Sequence, residues 1–399
     1  MIGSAKLLDG QSALQQGAGL VDVAAALDQP LHADPAAVSF GRQRWPHDDD
    51  SAVERTVNIH NDSDKDLTLE LSIATIGPNG ASADASLFTL SAPSVQIAAH
   101  GEAQVTLTAD TRAGLDGVSS GNLIASDGTS TLHVPFIVER EVESYDLELK
   151  VVNWTGEPAD PSTAWADVLP YDYLSLTFYQ LEDDGTLDLR LPRGRYVVSA
   201  NVEELEGDEW VRTAILVNPE LTLEADTTFV LDAREAKLVQ IDSPQADAEL
   251  FGFSFSYDTV PLSSSHFMDG TGELYTAQVG AAGEVESLSS SFSAVWTPPG
   301  APVNAAYEYN WAKTIAGEVV TGYRATFVPE DFIRIDAKFA RGSSALDAGF
   351  MAMAVPADPE ANYSASATSV PVELPSTRAI YVFSDPALAW ELELQQFEP

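Results

Sequence analysis

The stretch from Gly121 to Glu141, GNLIASDGTSTLHVPFIVERE, is two apolar runs folded about one Asp-Gly pair. Leu123 and Ile124 precede the pair, and Leu132, Val134 and Phe136 follow it at alternate positions. Asp127-Gly128 is the kind of dipeptide that tight hairpin turns favour, so an antiparallel hairpin is predicted here. Upstream, Val95 and Ile97 lead to a turn at His100-Gly101, and Val105 and Leu107 follow. Further back, Val57 and Ile59 precede the polar run NDSDKD (61–66). Leu67, Leu69 and Leu71 then alternate with Thr68, Glu70 and Ser72. That pattern predicts another hairpin with one buried face. Before it, Val38 and Phe40 flank Ser39 after Pro35, which marks a first strand, and Asp48-Asp49-Asp50 marks an exposed loop.

Short strands at regular spacing, with no 3.6-residue period among them, argue for a β-sandwich of immunoglobulin or fibronectin type III kind over residues 31–142. A new unit begins near Tyr145, where Leu147, Leu149 and Val151 share a face. Its informative centre is Leu191-Pro192-Arg193-Gly194-Arg195-Tyr196. Pro192 and Gly194 make a tight turn, and Tyr196 opens the next strand with its ring over that turn. After Pro244 the chain stays β-rich. Phe251, Phe253 and Phe255 alternate with small residues, and further strands are broken at Pro298-Pro299, Asn362 and Pro375. One β-sandwich is expected over residues 244–399, after a unit spanning 143–243.

At the N-terminal end, Gln15 to Leu27 reads QQGAGLVDVAAAL. Gly17 and Gly19 allow backbone angles or close packing that side chains forbid. Ala24 to Leu27 favour a helical turn that stops before Pro30. The segment SAKLLDG…QQGAGLVDVAAALDQP resembles the last part of a subtilisin-like catalytic domain. In that family it lies downstream of the nucleophilic serine and leads into accessory β-domains. The NDSDKD turn, the SGNLIASDG hairpin and the closing HVPFIVERE resemble the fibronectin-like domain of large bacterial subtilisin-like peptidases. The PxGxY motif at Pro192 to Tyr196, with the closing DTT…LDAR, resembles a small prealbumin-like (carboxypeptidase regulatory-like) β-domain.

Composition narrows the classes further. The chain has 399 residues, 45% of them hydrophobic, which is enough for several packed cores. Its net charge is −41, with acidic residues spread along the chain. Such a field repels phosphate backbones and anionic membranes, so nucleic acid is not an expected partner. No apolar run is long enough to span a bilayer, and no signal peptide is visible. There is no cysteine, which excludes disulfides, thiolate metal sites and cysteine nucleophiles.

Serine catalysis needs a nucleophile, an imidazole base and an orienting carboxylate. The single Gly-Thr-Ser, Gly128-Thr129-Ser130, sits in the predicted hairpin turn and not at a helix start. None of His32, His47, His60, His100, His133 and His266 lies in a subtilisin-like context. Asp62, Asp64 and Asp66 have the spacing that opens a calcium loop. Leu67 and Ile73 then stand where a glycine and a bidentate glutamate are needed. The acidic group Glu203, Glu204, Glu206, Asp208 and Glu209 reads as an exposed loop beside Trp210. Trp154, Trp165, Tyr171, Tyr173, Trp296, Tyr307, Tyr309 and Trp311 raise carbohydrate stacking, although aromatics on strands are more often core.

The expectation is an all-β chain of tandem β-sandwich domains. They divide as a remnant of a catalytic domain (1–30), a fibronectin type III-like sandwich (31–142), a prealbumin-like domain (143–243) and a last sandwich (244–399). By the resemblance it is the non-catalytic accessory region of a secreted, extracellular subtilisin-like serine endopeptidase, lacking the triad and partnered by that catalytic domain. No catalytic, cofactor-binding or metal-binding residue is assigned. The alternative is an autonomous extracellular module that binds a glycan or a protein. A third reading is an enzyme with an unfamiliar site in the last sandwich, where His266 is the one imidazole. If the N-terminal segment stands alone, Leu20 to Leu27 should expose apolar surface.

Overall fold

The computed structural model describes residues 1–397 except 9, 172–178, 208, 260–262, 269–271, 281–284, 286, 287, 301, 342–346 and 359–367. The described chain is all-β, in tandem sandwich layers that follow a short helical segment. It divides into two compact units, residues 1–144 and 145–399.

The first unit holds nine strands. They are β1 (Leu31–Asp34), β2 (Val38–Gln43), β3 (Val53–Asn61), β4 (Leu67–Ile76), β5 (Phe88–Leu90), β6 (Ser94–Ile97), β7 (Glu102–Ala109), β8 (Gly117–Ser126) and β9 (Thr131–Arg140). One sheet has the order β1-β3-β7-β5 and the other β2-β9-β8-β4-β6. Val57, Ile59 and Leu107 from the first sheet pack with Leu69, Leu123 and Phe136 from the second. The β8–β9 hairpin forms as its sequence predicts, with Leu123 opposite Val134 and Ala125 opposite Leu132. In its turn Gly128 takes φ +86°, and Asp127 Oδ1 accepts from the Thr129 and Ser130 amides at 2.8 and 2.7 Å. Those amides hold the Asp127 carboxyl below its usual range. Gly128-Thr129-Ser130 is thus turn backbone.

The expected hairpin across residues 61–66 does not form. β3 pairs with β1 and β7, whereas β4 pairs with β6 and β8 in the other sheet. Asn61 explains the crossing. Its buried amide donates to the carbonyls of Lys65 (2.7 Å) and Ala98 (3.1 Å) and accepts from the Ser63 hydroxyl at 2.7 Å. The loop is thereby tied to the chain entering β7, and it carries the backbone over the core edge. Alternation in sequence specifies the buried face, not the partner strand.

Ahead of β1 lie two short helices, α1 (Ala13–Gln16) and α2 (Val23–Asp28). Asp22 caps α2, its carboxylate accepting from the Ala25 amide at 2.9 Å. Gly19 takes φ +109°, and a Cβ there would sit 2.6 Å from the Lys6 carbonyl oxygen. Only glycine serves where Lys6 and Leu20 pair in an antiparallel bridge. The segment is anchored to the second sheet by Ala13 N donating to Ser120 Oγ (3.1 Å) and Gln29 Nε2 donating to the Thr131 carbonyl (3.0 Å).

The second unit continues with β10 (Ser144–Val152), β11 (Ala164–Pro170), β12 (Thr186–Pro192), β13 (Gly194–Glu206), β14 (Glu209–Leu223) and β15 (Thr227–Asp232). After them come β16 (Lys237–Ile241), β17 (Glu249–Asp258), β18 (Ser263–Met268), β19 (Glu273–Gln278), β20 (Ser289–Thr297) and β21 (Tyr307–Ala316). The last are β22 (Tyr323–Ala325), β23 (Phe332–Phe339), β24 (Asp347–Pro356), β25 (Ser369–Val372), β26 (Ser376–Phe383) and β27 (Leu388–Phe397).

These strands form four sheets: β12-β10-β15, β11-β13-β14-β19-β16-β22, β18-β17-β20-β21-β26-β23 and β25-β24-β27. The six-stranded sheet built on β13 and β14 is buried on both faces. Val198, Ala200, Ala214 and Leu216 pack toward Leu149 and Leu231 of the first small sheet. Val197, Ile215 and Val217 alternate with them and pack toward Phe255, Phe292 and Trp311 of the second six-stranded sheet. That sheet in turn covers Phe350 and Val372 of the last one. Near-continuous apolar runs such as Ala214-Ile215-Leu216-Val217 are what burial on both faces requires. The segments read in sequence as 143–243 and 244–399 therefore share a sheet, because β19 and β22 join strands β14 and β16. Tyr196 lies over its turn as expected, its hydroxyl donating to the Pro192 carbonyl at 2.5 Å.

Candidate functional site

The face of β11 and β13 turned toward the second six-stranded sheet changes character along its length. Leu169 and Val197 lie against the apolar core. Next along the strands, Asp167 pairs with Ser199, and then Trp165 pairs with Asn201. Beyond Asn201, Glu203 pairs with Thr213 of β14. Side chains two apart share a face, so this row passes from core to polar mouth in about three steps. The opposite wall is β18, the edge strand of the other sheet, where Ser264, His266 and Met268 turn inward. Between the walls lies a cleft of about 560 Å3 lined by Trp165, Asn201, Glu203, Trp210, His266 and Phe267, among others.

Burial acts on both titratable groups in this lining. It raises the Glu203 carboxyl above its usual range. It lowers His266 to about 4, so the imidazole is neutral at pH 7. His266 Nε2 lies 3.2 Å from Ser264 Oγ, and its ring stacks beside Phe255 and Tyr257. Deeper in, burial also raises Asp167. Trp210 Nε1 donates to Thr213 Oγ1 at 2.8 Å, which fixes the indole against the sheet. Trp165 and Phe267 remain 39% and 60% exposed at the rim. Asn201 is 2% exposed, and its Oδ1 has no hydrogen-bond partner.

Chemically, the cleft offers two indole faces and a phenyl ring, an amide, a carboxylate and a neutral imidazole. The Ser264–His266 pair is a contact along one edge strand. An imidazole held at about 4 is a weak base for activating a hydroxyl at neutral pH.

The other sequence candidates fall elsewhere. Trp296, Tyr309 and Trp311 are core, as is the face they share with half-buried Tyr307. Tyr309 is stacked on Tyr381, and burial pushes its hydroxyl up to about 12. Trp154 lies under the Arg212 guanidinium at 4.1 Å, and the Tyr171 hydroxyl donates to the Pro219 carbonyl. Tyr173 and Asp208 lie outside the described residues. Of the described members of the aromatic set, Trp165 alone lines this cleft, joined by Trp210. The acidic stretch expected as an exposed loop lies at the end of the β13–β14 hairpin, where Glu206 and Glu209 are exposed as expected and Glu203 and Glu204 are half-buried.

Each carboxylate of the 62–66 loop has its own partner. Asp62 meets His32 at 2.8 Å, Asp64 meets His100 at 2.8 Å, and Asp66 accepts from the Ala99 amide at 2.9 Å. Among the described residues no three His, Asp or Glu side chains converge as a metal site would need. Asp50 is not exposed as its acidic run suggested. It lies 2.8 Å from His47 Nδ1 and accepts from Thr111 Oγ1 at 2.6 Å, while His47 Nε2 lies 2.8 Å from the Glu141 carbonyl oxygen. These contacts tie the loop after β2 to the end of β9.

No protein-family profile and no curated protein matches the chain. Among solved structures, the Bacillus anthracis TIE protein overlaps 92% of this chain and 72% of its own, at 10% identity and a TM-score of 0.22. An MSP family member of Caenorhabditis elegans, WR4, overlaps 28% of this chain and 98% of its own, at 11% identity and a TM-score of 0.20. The CsuC–CsuE chaperone–tip adhesion subunit complex of Acinetobacter baumannii overlaps 43% and 92%, at 10% identity and a TM-score of 0.22. Likenesses with identities and TM-scores this low carry no argument about what the chain does. No helix among the described residues is long and apolar enough to cross a membrane.

Proposed function

We propose that this chain is a non-catalytic, extracellular accessory region that works beside a subtilisin-like serine endopeptidase domain, docking to it through residues 1–30. The observation that supports this reading is where apolar surface is exposed. Leu8, Leu14, Leu20, Val21, Val23 and Leu27 are 46–81% exposed, along one short segment. Elsewhere among the described residues such side chains are exposed one or two at a time. Leaving several large apolar groups in water forgoes about 1.5–3 kcal/mol each, so six of them within one short segment favour a covering partner. The partner named here is the domain whose final segment this stretch resembles, since that segment would ordinarily pack inside it.

The test is to mix the chain with a subtilisin-like catalytic domain truncated before its own counterpart of residues 5–28. Co-elution as a 1:1 complex in gel filtration is expected. Separate elution at micromolar concentrations of both would refute the reading.

A further inference from the structure

We infer that the cleft between β11–β13 and β18 is a binding site for an uncharged sugar residue of a glycan. The site lies wholly within residues 165–274, so it stands or falls independently of the docking role of residues 1–30.

Three observations converge on it. The first is shape and lining: about 560 Å3 falls within the ordinary range of small-ligand pockets, roughly 300–1,000 Å3. Trp165 at the rim and Trp210 deeper in supply flat apolar faces for the C–H side of a pyranose ring. The second is Asn201. Buried polar atoms in proteins are almost always hydrogen-bonded, so a 2%-exposed amide that lines a cleft with its Oδ1 unpartnered calls for a donor. An amide can accept from one hydroxyl and donate to its neighbour, the pattern that vicinal sugar hydroxyls complement.

The third observation is the character of the remaining polar lining. Glu203, Thr213, Ser265 and His266 mix acceptors with donors, and a hydroxyl can serve both. Burial favours the neutral forms of Glu203 and His266, which suits an uncharged ligand better than an ionic one. A cationic amine would be met by one carboxylate, and an anion by no Lys or Arg in the lining.

The experiment is a titration of the full chain with an array of neutral oligosaccharides, including maltose, cellobiose and diacetylchitobiose, followed by calorimetry on those retained. Saturable 1:1 binding that is insensitive to salt is expected. Trp165→Ala, at an exposed position, should weaken it at least tenfold, with an unchanged melting temperature. Asn201→Asp, close in shape, should weaken it similarly, while Trp165→Phe retains part of the affinity. Three results would overturn the inference: no neutral glycan retained, binding unaffected by Trp165→Ala, or salt-sensitive binding of an arginine or lysine ester in place of sugars.

Discussion

Two side chains carry the residue-scale predictions. His266 is neutral in the folded chain because burial takes its pKa from the ordinary 6.5 to about 4. The unfolded chain binds a proton at this ring between those values and the folded chain does not. Its contribution is therefore fully present above 6.5 and lost as pH falls toward 4, a change of up to about 3 kcal/mol. His266→Gln should flatten that part of the profile, read as the difference in urea midpoint between pH 7 and pH 4.5. An equal difference in the variant would contradict the assignment. The second side chain is Arg378. It is 3% exposed, donates to Glu308 at 2.7 Å, and fills out its guanidinium with the carbonyls of Pro302 (2.9 Å) and Pro371 (3.0 Å). Arg378→Met should cost about 3–5 kcal/mol by leaving a buried carboxylate unpaired. Adding Glu308→Gln should recover part of that loss, which denaturant unfolding of both variants checks.

At the scale of elements, Tyr196 joins β12 in one sheet to β13 in the next. Its hydroxyl bond to Pro192 closes the corner, and its ring lies against Gly194. Tyr196→Phe keeps the packing and loses the bond, so about 1 kcal/mol of stability should go, measured by chemical denaturation. A change within 0.2 kcal/mol would show the bond to be dispensable. The N-terminal helices follow another logic. Their glycines and the Asp22 cap define the backbone, yet their apolar side chains point to solvent. Local signals fold the segment and leave its large apolar side chains in solvent.

Across the whole molecule, burial of both faces of the β13–β14 sheet couples what sequence alone divides at about residue 243. Phe255→Ala opens a cavity on one face of that sheet and should cost about 3–5 kcal/mol. Hydrogen exchange should then accelerate in β13 and β14 as well as in β17 and β20. Protection lost from β17 and β20 alone would mean that the layers unfold separately. This coupling also marks where the sequence stops being legible. The β8–β9 hairpin could be read because Asp127-Gly128 and flanking alternation are local. The crossing at Asn61 could not, because alternation names a face and not a neighbour. The cleft was hidden for the same reason. Trp165 and Asn201 are 36 positions apart and meet only through the β11–β13 register. Tyr309 and Trp311, by contrast, had the spacing of a sugar platform and proved to be core.

The docking claim is tested most directly by calorimetric titration of a subtilisin-like catalytic domain, truncated before its counterpart of residues 5–28. The titrants are the native chain and a variant carrying Leu20→Ser, Val23→Ser and Leu27→Ser. These side chains are 61–81% exposed, so the variant should fold like the native chain. If they form the docked face, the native chain binds and the variant binds at least about tenfold more weakly, since each buried aliphatic side chain is worth about 1.5–3 kcal/mol. Equal affinities, or no heat of binding from either, would contradict the account.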